Sequence, residues 1–236
     1  MPQAVIFDFA ETLAHLEPDK GETLQNFVLE RGGPKLDAAD IGRAFKCLEV
    51  TNPYSSVEIR KNEQREHFYR LYNRHLFQLL GVEHLVSSDE YYTYAMSRER
   101  RWQLSPHALP LLRKLKTHSV PIYLASNFDS RLRKMLQELK ISEYFEKVLI
   151  SQEMMLEKPD LDFYRAVLEA TSLPAPSVVY IGDSYSLDFL PARQTGFAAY
   201  LLDPLELYPH LDFRISSLDE VDALMLSKVS LKDCSR

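Results

Sequence analysis

Four short stretches carry residue types that could do chemistry together. The apolar run Ala4-Val5-Ile6-Phe7 ends in Asp8, and Tyr123-Leu124-Ala125 ends in Ser126-Asn127. Lys158 stands in Glu157-Lys158-Pro159-Asp160, and Val178 to Ile181 run into Gly182-Asp183-Ser184-Tyr185-Ser186-Leu187-Asp188. A carboxylate left beside an apolar run costs free energy unless it is paired, hydrogen-bonded or bound to a metal. If the strands these runs suggest lie parallel, the four polar ends meet on one sheet edge, where open α/β sheets bind ligands. A nucleophile, a hydroxyl donor, a cation and a second acidic pair then share one pocket. Each also has a plainer reading: Asp8 as a turn cap, Asn127 as a turn residue, Lys158 as a solvated helix-start residue, Asp188 as an exposed helical carboxylate. Asp129 reads as the N-cap of a helix from Ser130 onward.

The elements that would position these residues follow from the hydrophobic pattern. Consecutive apolar residues over 4–7 predict a strand buried on both faces. From Leu104 onward strands and helices alternate. Helices are predicted over Ala108–Thr117, Ser130–Leu139, Leu161–Thr171 with Pro159 near its first turn, Ser186–Gln194 closed by Gly196, and Leu218–Leu226. Strands are predicted over Pro121–Ala125, Lys147–Ile150, Ser177–Ile181, Ala198–Leu202 and Arg214–Ser216. This alternation predicts an α/β fold with a parallel sheet. Between Leu13 and Trp102 the pattern is helical instead: Glu22–Arg31, Ala38–Leu48, Val57–Leu80 and Ser88–Arg101. In the third of these, Phe68, Leu71, Tyr72, His75, Leu76 and Leu79 form one apolar stripe. A helical insert, residues 15–102, is thus expected inside a core made of 1–14 and 103–236.

Length and composition bound the function. The 236 residues are 45% apolar and 26% charged, with 28 basic against 34 acidic side chains and a formal charge of −6. These are values of a globular protein and give no nucleic-acid footprint. Cys47 and Cys234 are the two cysteines, too few for a disulfide framework or a zinc site, which fits a reducing compartment. The apolar start lacks a basic region before it and stops too soon for a signal peptide or a spanning helix. The expectation is a cytoplasmic protein, monomer or homodimer, with no membrane or nucleic-acid partner.

Asp8, Ser126, Lys158 and Asp183/Asp188, in that order and each at an expected strand end, resemble the four motifs of the haloacid dehalogenase superfamily of hydrolases. The resemblance covers essentially the whole chain. It implies a Rossmann-like three-layer α/β/α core, an α-helical bundle cap domain inserted after the first motif, and a small phosphorylated molecule as substrate. By that resemblance Asp8 is the covalent nucleophile; Asp8, Asp183 and the main-chain carbonyl of Ala10 hold Mg²⁺; Ser126, Asn127 and neighbouring backbone donors bind a phosphoryl oxygen. Lys158 would balance the nucleophile, and Asp188 would fix Lys158. The roles suit the charges, since attack of an anion on an anion needs cations to offset the developing charge.

One departure matters. The usual first motif reads Asp-x-Asp-Gly-Thr, and this chain has Asp8-Phe9-Ala10-Glu11-Thr12. The second Asp is the family's general acid and base, a role typically worth about 10²–10⁴ in rate, and Ala10 cannot fill it. Three readings remain open: a phosphatase in which an activated leaving group or another acid such as Glu11 compensates; phosphonatase-like or 2-haloacid dehalogenase-like chemistry, with Lys61 and His67 as candidates for the former; and a binding or scaffold protein without turnover. In the insert, Tyr91, Tyr92, Tyr94 and Met96 read as bundle core or pocket mouth, and Arg98, Arg100 and Arg101 as a solvated face or an anion contact.

Overall fold

Four apolar residues in a row are tolerated only where both faces of a strand are covered, and β1 (Ala4–Phe7) is buried along its whole length. Val5 and Phe7 enter one core layer while Ala4 and Ile6 enter the other, because successive side chains of a strand point to opposite faces. The computed structural model describes residues 2–51 and 62–226. After β1 the chain runs through β2 (Ala14–Glu17), α1 (Lys20–Glu30), α2 (Ala38–Thr51), α3 (Asn62–Leu80), α4 (Ser88–Ser97) and β3 (Arg101–Leu104). It continues as α5 (Ala108–Thr117), β4 (Ile122–Ser126), α6 (Arg131–Glu138), β5 (Lys147–Ile150), the single turn α7 (Ser151–Met154), α8 (Leu161–Thr171) and β6 (Val178–Gly182). A wide turn over Tyr185–Phe189 leads into α9 (Leu190–Gln194), β7 (Ala198–Leu202), β8 (Arg214–Ile215) and α10 (Val221–Leu226).

Six strands pair in parallel in the order β5-β4-β1-β6-β7-β8. In this register Phe7 is level with Leu124 of β4 and Ile181 of β6. One step further, the chain reaches Asp8 on one strand and Gly182 on its neighbour. Leu111, Leu112, Leu115, Leu132, Leu136 and Val221 of α5, α6 and α10 cover one face, and Phe163, Tyr164, Val167 and Ala192 of α8 and α9 cover the other. The core is therefore a three-layer α/β/α sandwich around a parallel sheet, of Rossmann-like form.

By contact density the chain forms two units, one of Met1–His15 with Trp102–Arg236 and one of Leu16–Arg101. The second has its own apolar core, built from Leu24, Phe27, Ile41, Phe45, Leu76, Phe77 and Tyr91 among others. Its first helix starts on a reciprocal cap, in which Asp19 accepts from the Glu22 N–H and Glu22 from the Asp19 N–H. Among the described residues no helix is long and apolar enough to cross a membrane.

Several elements differ from the sequence expectation. The helix expected to reach Arg101 stops at Ser97, and Arg101–Leu104 is instead a strand that pairs with β2. Neither strand was expected, because Ala14-His15-Leu16-Glu17 and Arg101-Trp102-Gln103-Leu104 lack the continuous apolar run that marks β1 and are too short to establish an alternation. The stripe on α3 is rotated: Leu71 and Leu79 are exposed, as is His75, while Asn73, Leu76 and Phe77 are buried. The ring of Phe77, 6.3 Å from Phe27 and 5.5 Å from Tyr91, decides which side turns inward. Tyr91 is core, Tyr94 donates to Glu30, Arg98 pairs with Glu30, and Met96 is exposed. The expected helix start at Val57, and Lys61, lie outside the described residues.

Thr12 is fully buried, and among the described residues its hydroxyl has no hydrogen-bond partner. An orphaned buried hydroxyl is destabilising, whereas an apolar isostere at the same place is not. Thr12→Val is expected to raise stability by about 1 kcal/mol, read from the denaturant midpoint at unchanged m. A clear loss of stability would show that the hydroxyl has a partner after all.

Candidate active site

The centre of the site is a buried lysine. Lys158 is 3% exposed, and its ammonium donates to Asp8 Oδ1 at 2.7 Å and to Asp188 Oδ1 at 2.5 Å. Asp8 is held at the end of β1 by its own N–H, which donates to the Ile181 carbonyl of β6 at 2.9 Å. Asp183 completes the group: ligand oxygens of Asp8, Asp183 and Asp188 lie within 4.8 Å of one another. Burial works against the charged lysine, but Asp188 and Asp8 reverse this and hold its pKa above the ordinary value, so the ammonium persists. Burial pushes the Asp188 carboxyl up against the opposing pull of Lys158, and Asp8 and Asp183 add like-charge repulsion.

Lys158 reaches this place because its main chain is clamped. The Asn127 side chain accepts from the Lys158 N–H at 2.8 Å and donates to the Lys158 carbonyl at 2.9 Å. The Asn127 amide thus joins the end of β4 to the loop that carries Lys158. Ser126, 2% exposed, closes β4 on the same sheet edge. Several backbone donors that follow it are taken internally: Phe128 N–H by Ser151 Oγ, Ser130 N–H by Gln152 Oε1 and Arg131 N–H by Asp129 Oδ1. Asp129 thus steadies the start of α6 from one residue further back than expected, since Ser130 holds the cap position and makes no side-chain cap bond.

Asp188 sits on the wide turn rather than in the regular helix expected from Ser186. The N–H groups of Asp188 and Phe189 both donate to the Ser184 carbonyl at 3.0 Å, and Leu190 N–H returns to Tyr185. Pro191 accounts for the irregularity, since it has no N–H with which to continue the ladder. The Asp188 carboxylate accepts further from the Ser184 N–H at 3.2 Å and the Tyr180 hydroxyl at 3.3 Å. Gly182 leaves it room: a Cβ there would lie 2.3 Å from Asp188 Cγ.

This constellation sits in a sequence that matches the model of the haloacid dehalogenase-like hydrolase family over residues 5–201. The chain belongs to this family. It is 29% identical over 134 residues to haloacid dehalogenase-like hydrolase domain-containing protein 3 of Xenopus laevis, 54% of each chain, so the match spans about half the length of that relative. It is 24% identical over 217 residues, 87% of each chain, to the ribulose-1,5-bisphosphate 5-phosphatase of Halopiger xanaduensis. Among solved structures it resembles the HAD-hydrolase YfnB of Bacillus subtilis bound to magnesium, with TM-score 0.61 and 16% identity, covering 95% of this chain and 98% of that one. That likeness shows the fold.

In this chain Asp8, Lys158, Asp183 and Asp188 are brought together, with Ser126 on the same edge. The donor set suits a hard divalent cation, because every candidate ligand is a carboxylate or carbonyl oxygen and three acids face one ammonium. Ala10 lies on a tight loop whose Glu11 stands at φ 60° and donates its N–H to the Ala14 carbonyl at 2.7 Å. Glu11 therefore occupies the left-handed region where the family's first motif has glycine, a conformation costly for a residue with a Cβ. Sequence reasoning passed over Tyr180, Gly182 and Tyr164. Nothing in the spacing of the two tyrosines marks them, and only the glycine preceding an acidic pair could have drawn notice.

Proposed function

We propose that this hydrolase cleaves small phosphate monoesters with Mg²⁺ through an aspartyl intermediate on Asp8. One observation carries the reading: the Lys158 ammonium is clamped between Asp8 and Asp188 inside a cluster of three carboxylates. Three acids and one cation leave an excess of negative charge, which suits a divalent cation and gives the second acidic pair a use that a metal-free dehalogenase would not have. Asp8, Asp183 and the Ala10 carbonyl would hold the metal, which when bound offsets charge on the phosphoryl oxygens. The phosphatase relative matched over 87% of the chain supports the same substrate class.

The roles of the chain's own residues follow. Lys158 engages Asp8 Oδ1, leaving Oδ2 to form the bond to phosphorus while the ester oxygen leaves with the bonding electron pair. Water then attacks that phosphorus, releasing phosphate and restoring the Asp8 carboxylate. Ser126 and the Asn127 N–H would orient the phosphoryl group. An alkoxide leaving group needs a proton, and Ala10 supplies none.

Wild type is therefore expected to hydrolyse p-nitrophenyl phosphate, whose leaving group departs unprotonated, well ahead of alkyl phosphates, in a reaction suppressed by chelator. Ala10→Asp should raise alkyl phosphate turnover by about tenfold or more and the activated ester much less. Glu11→Gln tests whether Glu11 already donates the proton. Turnover of 2-chloropropionate unaffected by chelator would overturn the reading, as would an Ala10→Asp protein that folds, binds Mg²⁺ and gains nothing on alkyl phosphates.

A further inference from the structure

Two buried phenols lie against the turn that carries Asp188, and the reaction above uses neither. We propose that Tyr180 and Tyr164 are positioning residues that fix Asp188, and through it the Lys158 ammonium beside Asp8. The role rests on the reading of the site as a phosphoester hydrolase acting through Asp8.

Tyr180, on β6, is fully buried. Its hydroxyl donates at 3.3 Å to Asp188 Oδ1, the oxygen that also accepts from Lys158, and the Lys158 ammonium lies 5.6 Å from the centre of its ring. One side chain thus touches both members of the ion pair, the acid through its hydroxyl and the cation through its π-face. Tyr164, on α8, donates its hydroxyl to the Leu187 carbonyl, one residue before Asp188. In a regular helix that carbonyl would accept from the N–H four residues on, but that residue is Pro191. The Tyr164 hydroxyl supplies the missing donor.

The rings of Tyr164 and Tyr180 are 5.6 Å apart, within a core layer that also holds Phe163 and Phe197. Phenylalanine would satisfy the packing at both positions equally well, and a hydroxyl carried into a core without a partner is destabilising. What the hydroxyls add is two donors converging on one turn. Burial pushes both phenols up, so both stay protonated and able to donate.

The test uses Tyr180→Phe and Tyr164→Phe in the full chain, assayed on p-nitrophenyl phosphate with Mg²⁺. Each is expected to lower kcat about tenfold while KM stays within about twofold, since what is lost is orientation of the reacting pair rather than substrate binding. A readout independent of turnover is the Lys158 ammonium resonance in protein labelled with ¹⁵N-lysine, assigned with Lys158→Arg. It is expected to shift in both phenylalanine variants and to hold still in Phe163→Leu, which disturbs the same layer without removing a hydroxyl. Wild-type kcat in either folded variant overturns the proposal. If wild type cleaves no phosphate ester, the hydrolase reading fails on its own, and the resonance then decides the positioning: a shift supports it and an unmoved signal overturns it. Should one variant fail to fold, the other carries the test.

Discussion

Asp8→Asn is expected to abolish phosphate ester turnover, by at least about 10³-fold, and to leave the melting temperature within about 3 °C of wild type. The two halves have different causes. An amide cannot form the bond to phosphorus, so chemistry stops. Stability survives because the cluster holds three carboxylates against one ammonium, and removing Asp8 leaves Lys158 still paired with Asp188 at 2.5 Å. Lys158→Met should behave in the opposite way. It strips the cation from a buried acidic cluster, which costs on the order of 3–5 kcal/mol, so activity and fold weaken together. Turnover by Asp8→Asn above a few per cent of wild type would remove Asp8 from the nucleophile's role. An equal loss of stability in both variants would overturn the charge argument.

Gly182→Ala is expected to have the next largest effect, although it adds one methyl group and removes nothing. The new Cβ would stand 2.3 Å from Asp188 Cγ and 2.5 Å from Asp188 Oδ2. The neighbour cannot swing aside, because Lys158, Tyr180 and the Ser184 N–H all hold the same carboxylate. Overpacking of this kind costs about 1–3 kcal/mol, which for a chain of this length lowers the melting temperature by several degrees, about 2–4 °C per kcal/mol. Activity should fall about 10²-fold or more, because Lys158 loses the partner that orients it. The double variant Gly182→Ala/Asp188→Gly should regain part of the stability while remaining inactive. A Gly182→Ala protein with wild-type stability and turnover would show that the edge of the sheet is looser than these distances imply.

The positions of Asp8, Ser126 and Asp183 at strand ends were legible because an apolar run that stops at a polar residue is visible without knowing the partner strand. The parallel sheet was legible from the alternation of runs and helical segments for the same reason. What stayed hidden depended on contacts distant in sequence. The strands β2 and β3 exist because they pair across the whole helical segment. The inward face of α3 was settled by Phe77 meeting Phe27 and Tyr91 rather than by spacing alone. The bonds of the Asn127 amide to the Lys158 main chain could not be read in advance, because they join residues 31 apart in sequence. Pro191, inside the expected helix from Ser186, was the one local warning that this stretch would not be regular.

The central place of β1 also bears on how the chain is made. Its flanking partners, β4 and β6, begin at Ile122 and Val178, so during synthesis an apolar strand leaves the ribosome long before either neighbour exists. The apolar core of Leu16–Arg101 is drawn wholly from residues that precede Ile122, so its parts are all synthesised before either partner of β1. Until Val178 is translated, β1 has at most one bonded side and presents its open edge to any other nascent chain, a species prone to aggregate. The strand order that holds Asp8 between two neighbours thus makes the site one of the last parts of the fold that synthesis can complete.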